Sequence, residues 1–255
     1  MRRVLLILAA LLCVATLRAD LAEMDAIFAK LPPGTTVVDS RGVTAAGLSG
    51  VGAKGEVVVV EGQSFAEARR IVTLQKPPHA YSINLGLRTT VPVAEGDNLL
   101  AVFYARTVAP PAGEDEARSE FVFEKNGPPH DKSVTFTFSV GTRWTKFYVP
   151  FSSRATYAAG EAKIAFRAGY DPQTIEFAGF QLLNYGRTAA RADLPSTPLT
   201  YKGRETDAPW RAAAAERIEK LRKGDLTVAV GLCVVRFFGR VQPAPLFLRE
   251  QFFGH

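Results

Sequence analysis

The period of the apolar positions changes twice along the chain. Near the start, Leu21, Met24, Ile27, Phe28 and Leu31 recur at helical spacing, with Asp20 placed to cap and Pro32-Pro33-Gly34 placed to stop. That spacing predicts a short helix within an N-terminal segment at 20–36. From 37 to 186 the period falls to two. Candidate strands run 56–61, 80–88, 98–108, 120–125, 133–140, 145–151, 163–168 and 174–184, and the breaks between them carry Pro77-Pro78, Glu95-Gly96-Asp97, Pro110-Pro111, Gly127-Pro128-Pro129, Gly141 and Asp171-Pro172. Proline cannot donate into a ladder, so these marks bound strands rather than interrupt them. Val134, Phe136 and Phe138 alternate with Thr135, Thr137 and Ser139, and Leu99, Ala101 and Phe103 alternate with Leu100, Val102, Tyr104 and Arg106. Many short alternating strands with no helices between them predict an all-β fold. The expected form is an antiparallel β-sandwich of the jelly-roll, galactose-binding-like type, with a short N-terminal helix and a C-terminal helix.

Residues 187–206 form a polar linker punctuated by Pro195 and Pro198. Asp207 then opens a second helical pattern, with Pro209 in the first turn, a stripe of Trp210, Ala214, Ile218 and Leu221, and Gly224 at the stop. Leu226 to Val230 begins a new strand, so 207–230 is expected to lead toward a further domain. The segment 231–255 gathers Phe237, Phe238, Phe247, Phe252 and Phe253 without either periodicity. It is expected to be the sheared edge of a missing domain or the product of a reading-frame change.

The first residues bear on the compartment. Arg2 and Arg3, the apolar run Val4 to Val14 and the small Ala19 have the layout of a secretory signal peptide at 1–19, which implies a secreted or periplasmic protein. The run is too short to span a bilayer, so no membrane partner is expected once it is removed. Removing it also removes three of the 31 basic residues, leaving 28 against 25 acidic ones. An excess of that size, without clustering, argues against nucleic acid as a partner. It takes Cys13 away too, so Cys233 stands alone and no disulfide can close. His79, His130 and His255 are scattered, and no metal site is expected.

No nucleophile elbow, phosphate loop, dinucleotide fingerprint or metalloprotease pair occurs. The glycines between Gly47 and Gly55 lack the Lys-Ser/Thr ending of a phosphate loop and read as a plain loop. Hydrolysis of a glycoside would need two facing carboxyl groups. Of Glu120, Glu124 and Glu176, the first two lie an even number apart and can share a sheet face, a weak signal that solvated strand positions explain equally well. Sugar binding needs flat amphipathic rings beside polar groups that bond hydroxyls. Tyr104 and Arg106, together near the end of one strand, and Trp144 and Tyr148, four apart with Lys146 between them, are the candidate carbohydrate-binding residues; burial in the core is the competing account of each ring.

Tyr201-Lys202-Gly203-Arg204-Glu205, Asp207-Ala208-Pro209-Trp210-Arg211 and Arg217 to Val228 resemble the stretch that precedes the catalytic barrel of bacterial family 10 glycoside hydrolases, the endo-β-1,4-xylanases. The region before it, including Trp144 to Phe151 and Gln173 to Gly186, resembles the carbohydrate-binding sandwich such enzymes carry in front. The resemblance spans 77–228 and stops near Val230. A (β/α)₈ barrel needs about 250 residues, so no catalytic residue of that family maps onto this sequence. The resemblance implies a non-catalytic, monomeric module that binds xylan or a related plant cell-wall polysaccharide. The alternatives are a sandwich that merely supports the barrel, or a glycosidase in its own right. No cofactor is implied beyond a structural calcium ion admitted by analogy with similar sandwiches.

Overall fold

The computed structural model describes residues 21–198 and 209–222, which fall in two units dividing at Arg204 and Glu205. The signal peptide at 1–19, part of the linker, the strand at 226–230 and the tail at 231–255 lie outside the described residues.

The first unit opens with a helix at 21–29, α1. The strands follow as β1 (Thr35–Asp39), β2 (Leu48–Ser49), β3 (Ala53–Val59), β4 (Glu67–Thr73), β5 (Asn84–Arg88), β6 (Asn98–Ala109), β7 (Ala117–Lys125), β8 (Lys132–Val140), β9 (Thr145–Ser152), β10 (Ala162–Arg167) and β11 (Gln173–Asn184), with a short α2 (Ser40–Ala45) after β1. One sheet runs β3-β4-β11-β6-β9 and the other β2-β5-β10-β7-β8, every pairing antiparallel. The chain is thus an antiparallel sandwich. The expected strands from 98 onward stand within a few residues of those observed. Three strands were not foreseen, one of them the two-residue β2 inside the glycine segment 47–55 expected to be a plain loop. β1 lies where the N-terminal segment gives way to the sandwich, and β4 carries Arg69-Arg70 in its middle, which breaks the apolar alternation that marks a strand.

Alternation builds the core. Phe103 of β6, Phe147 and Phe151 of β9, Phe121 and Phe123 of β7, Phe166 of β10 and Phe177 and Phe180 of β11 meet between the sheets. Phe103 sits at the centre, with ring centroids of Phe147, Phe166, Phe138 and Phe121 at 5.2, 5.0, 5.4 and 5.8 Å. Rings at these tilted and offset separations gain beyond the area they bury.

Strand β11 changes which parity faces inward. Ile175 and Phe177 point into the core, and so do Phe180 and Leu182. The register against β6 slips between Ala178 and Gln181, where Gly179 adopts φ +57°. This is a β-bulge with a glycine in the left-handed region, and the extra residue switches faces without breaking the strand. It also divides one edge of β11, so that 173–178 pairs with β4 and 181–184 with β1.

In the second unit, α3 (Pro209–Arg222) begins at the proline, as N-terminal proline preference predicts. Trp210 and Ile218 of its stripe are each 46% exposed. No helix among the described residues is long and apolar enough to cross a membrane.

Candidate functional site

The outer face of the first sheet follows from register. Residues directly opposite one another fall into rows across the strands. One row is Glu56, Arg70, Glu176 and Arg106, on β3, β4, β11 and β6. The next is Val58, Ala68, Ala178, Tyr104 and Lys146, ending on β9. Beyond the bulge come Gln181, Val102 and Tyr148, then Leu183, Leu100 and Pro150.

The first row alternates in charge, and opposite charges placed across neighbouring strands bond. Glu176 is fully buried. Its Oε1 accepts from Arg70 Nε at 2.8 Å and meets Arg70 Nη2 at 2.6 Å, while its Oε2 accepts from Arg106 Nε at 2.6 Å. Arg70 also reaches the exposed Glu56 at 2.9 Å. The hydrogen bond to Glu176 chiefly, against the opposing effect of burial, holds the Arg70 guanidinium above its ordinary range, with Glu56 adding to it. Arg106 then lies over Trp144, its guanidinium carbon 4.7 Å from the ring centroid.

The second row has a floor of small residues, Ala68 and Ala178, and Phe65 from the loop between β3 and β4 folds onto it. Its ring centroid is 5.0 Å from Tyr104 and 4.9 Å, edge-on, from Trp144. The close approach depends on Gly179. A Cβ there would come within 2.9 Å of Tyr104 Cδ2 and 3.3 Å of Phe65 Cδ1.

The last two rows are covered for the most part, Gln181 staying exposed. Met24, with Leu21, Phe28 and Leu31, packs over Leu100, Val102, Tyr148 and Leu183, together with Tyr185, Ala189 and Leu194 from the chain after β11. The helical stripe of the sequence is thus spent on the sheet. Asp25 fastens the helix: its Oδ1 accepts from Lys146 Nζ at 2.6 Å and from the Tyr148 hydroxyl. Lys146 Nζ sits among three rings, 4.8 Å from Tyr148, 5.6 Å from Phe28 and 5.7 Å from Tyr104. Burial pushes the Asp25 carboxyl up, but the hydrogen bonds from Lys146 and Tyr148 and the charge of Lys146 together carry it below the usual carboxylate range. Burial, and then the bond to Asp25, push the Tyr148 hydroxyl up to about 12.

Where the open and covered halves meet lies a pocket of about 240 Å³, lined by Phe28, Ser64, Phe65, Val102, Tyr104, Lys146, Gly179 and Gln181. Tyr104, Arg106 and Trp144 therefore stand together beside it, each partly exposed. Tyr148 does not join them: its ring is fully buried beneath α1. The residues that sequence reasoning passed over as site residues are Phe28, Phe65, Gly179, Gln181 and Arg70. A glycine inside an otherwise regular strand pattern is the one signal that pointed here.

Glu120 and Glu124 do share the outer face of the other sheet, and both are engaged. Glu124 is buried, with Arg167 Nη2 at 2.8 Å and Lys132 at 3.2 Å, and Glu120 accepts from the Tyr170 hydroxyl at 2.6 Å. Burial raises the Glu124 carboxyl, but Arg167, Lys132 and Lys163 outweigh it and leave it lowered. A general acid needs the reverse. Among the described residues no group of three His, Cys, Asp or Glu side chains gathers to hold a metal ion.

No protein-family model and no curated protein matches the chain. Among solved structures it is similar to the CBM22-1 xylan-binding domain from Paenibacillus barcinonensis Xyn10C, at 14% identity over 63% of this chain and 99% of that one, with a TM-score of 0.43. It is similar to the CBM22-1–GH10 modules of Clostridium thermocellum endo-1,4-β-D-xylanase 10B, at 13% identity over 62% of this chain and 30% of that one, with a TM-score of 0.44. It is also similar to the N-terminal cellulose-binding domain of Cellulomonas fimi β-1,4-glucanase C, at 16% identity over 60% and 97% of the two chains, with a TM-score of 0.41. These are likenesses of sandwich architecture, and the site rests on its own residues.

Proposed function

We propose that the open half of this outer face binds polysaccharide, with xylan or a related plant cell-wall glycan as ligand, and that the chain is a secreted, non-catalytic module of an endo-1,4-β-xylanase-like hydrolase. The observation that carries the reading is that Tyr104 and Phe65 line the pocket, with Trp144 against Phe65 and Arg106 over Trp144. A sugar ring offers apolar C–H faces and a rim of hydroxyls, so it needs flat rings for the first and well-placed polar groups for the second. Arg106 is held between Glu176 and Trp144, which lowers the entropy lost when it bonds a hydroxyl. The sequence resemblance at 201–228 supports xylan as the glycan class and a hydrolase as the parent.

Binding without cleavage fits the carboxylates. Both oxygens of Glu176 are taken by guanidinium groups, and Glu124 is stabilised as the anion. Glu124, held as the anion, is not set up to hand over a proton.

The test is electrophoresis of the purified chain through gels containing soluble xylan, glucan or mannan. Retardation by xylan, weakened about tenfold by Tyr104→Ala or Trp144→Ala, is expected for the loss of one stacking ring worth about 1.4 kcal/mol. Free migration in all three gels would leave the supporting-sandwich role, and release of reducing sugar would overturn the non-catalytic reading.

A further inference from the structure

Resting on that reading, we infer that the site takes the end of a sugar chain and that α1 is the stop. A groove that binds the interior of a polymer must be open at both ends. Here, along the strand direction, the face is open over the Arg106–Glu176 row and beside Tyr104, and beyond that α1 covers Val102, Tyr148 and Leu100. Leu100, Val102 and Tyr148 are 0–3% exposed beneath α1. The pocket lies at that boundary, and α1 supplies a wall through Phe28, while Ser64 and Phe65 wall the side toward the β3–β4 loop. At about 240 Å³ it is smaller than the roughly 300–1,000 Å³ that surrounds a drug-sized ligand. A volume of that order suits one sugar at the covered end, with the rest of the chain lying outside it.

The stop is fastened. A chain passing through would have to lift α1, breaking the bonds of Asp25 to Lys146 and Tyr148 and wetting an apolar patch. The backbone beneath is tied as well, since Tyr148 N donates to Thr197 Oγ1 at 2.8 Å and Thr197 N to Tyr148 O at 2.9 Å. The polar groups at the closed end, Gln181, Ser64 and the Lys146 ammonium, suit hydroxyls that only a terminal sugar presents. The chain then leaves across Tyr104 toward Arg106 and Trp144.

The experiment is calorimetric titration of the purified chain with xylobiose, xylotetraose, xylohexaose and xylan of known mean length, each also after borohydride reduction. An end site gives affinities differing by less than about threefold between tetraose and hexaose, and polymer that saturates at one protein per chain. Loss of binding on reduction assigns the reducing end, and unchanged binding assigns the other. A through-going groove gives affinity rising about tenfold or more with length as contacts accumulate, and several proteins per chain, which overturns the inference and leaves glycan binding standing. The double variant Asp25→Ala/Phe28→Ala loosens the stop and is expected to favour long oligomers over short ones. A folded variant with the unchanged length profile would count against α1, and the native length series decides if the variant does not fold. Absence of heat with every xylan, glucan and mannan ligand sinks the glycan reading itself.

Discussion

Replacing Glu176 by leucine tests the physical basis of the open face. The carboxylate is fully buried and is met by Arg70 Nε at 2.8 Å, Arg70 Nη2 at 2.6 Å and Arg106 Nε at 2.6 Å. Removing one member of a buried ion pair costs about 3–5 kcal/mol, because the partner charge is left without compensation. Three features place this case at the lower end. The Arg70 and Arg106 side chains keep 29% and 33% of their exposure, so water reaches the orphaned charges. Arg70 also retains Glu56 at 2.9 Å, but that carboxylate is 58% exposed, and such a bond is worth about 0.5 kcal/mol. Arg106 keeps its place over Trp144, worth about 0.5–1 kcal/mol. The expected loss is about 3 kcal/mol, a large part of the roughly 5–15 kcal/mol that holds a domain together. With a urea slope near 2 kcal/mol/M the unfolding midpoint falls by about 1.5 M. Equilibrium urea unfolding followed by fluorescence reads this directly. The triple variant Arg70→Met/Glu176→Leu/Arg106→Met removes all three charges together and should return to within about 1 kcal/mol of the native chain. A loss below about 1 kcal/mol in Glu176→Leu, or no recovery in the triple variant, would refute the view that a desolvated charge ladder organises this face.

Three further outcomes follow from the geometry. Phe103→Ala empties the centre of the core, where four rings lie within 6 Å of it, and should cost about 3–5 kcal/mol in the same urea assay with little change in glycan affinity per folded molecule. Gly179→Ala forces a Cβ to 2.9 Å from the Tyr104 ring at φ +57°, so about 1–2 kcal/mol of stability and most of the glycan binding should go together; native retardation in xylan gels would contradict the role given to the bulge. Docking of α1 should have a pH window. Asp25, lowered in the folded chain, contributes above its ordinary carboxylate range and loses that contribution as pH falls through the folded value. Tyr148 and Lys146, both raised, contribute below their ordinary values and lose it as pH rises through the folded ones, which for Tyr148 is about 12. Protection of the 21–29 amides from hydrogen exchange, taken relative to the intrinsic rate at each pH, should fall at both extremes and be flat between them. Uniform protection down through the acid limb would remove Asp25 as the fastener.

Periodicity alone was enough for much of this molecule. The alternation of 98–106 correctly separated the buried Leu99, Ala101 and Phe103 from the outward Leu100, Val102, Tyr104 and Arg106, because a pleated strand must send successive side chains to opposite faces whatever surrounds it. The helical stripe from Leu21 to Leu31 was legible for the same reason. What periodicity cannot convey is which face meets what. Leu100, Val102 and Tyr148 are on the outside of a sheet and yet buried, since a helix from the other end of the chain lies on them. Glu56, Arg70, Glu176 and Arg106 are dispersed over more than a hundred residues, and only strand order sets them side by side. Strand β4 escaped notice because the charges that make it useful, paired across the sheet, are the ones that hide a strand in a linear reading. Local pattern is dictated by backbone geometry, residue by residue; partnership is dictated by topology, which brings Phe28, Phe65, Tyr104 and Trp144 to one margin of one sheet.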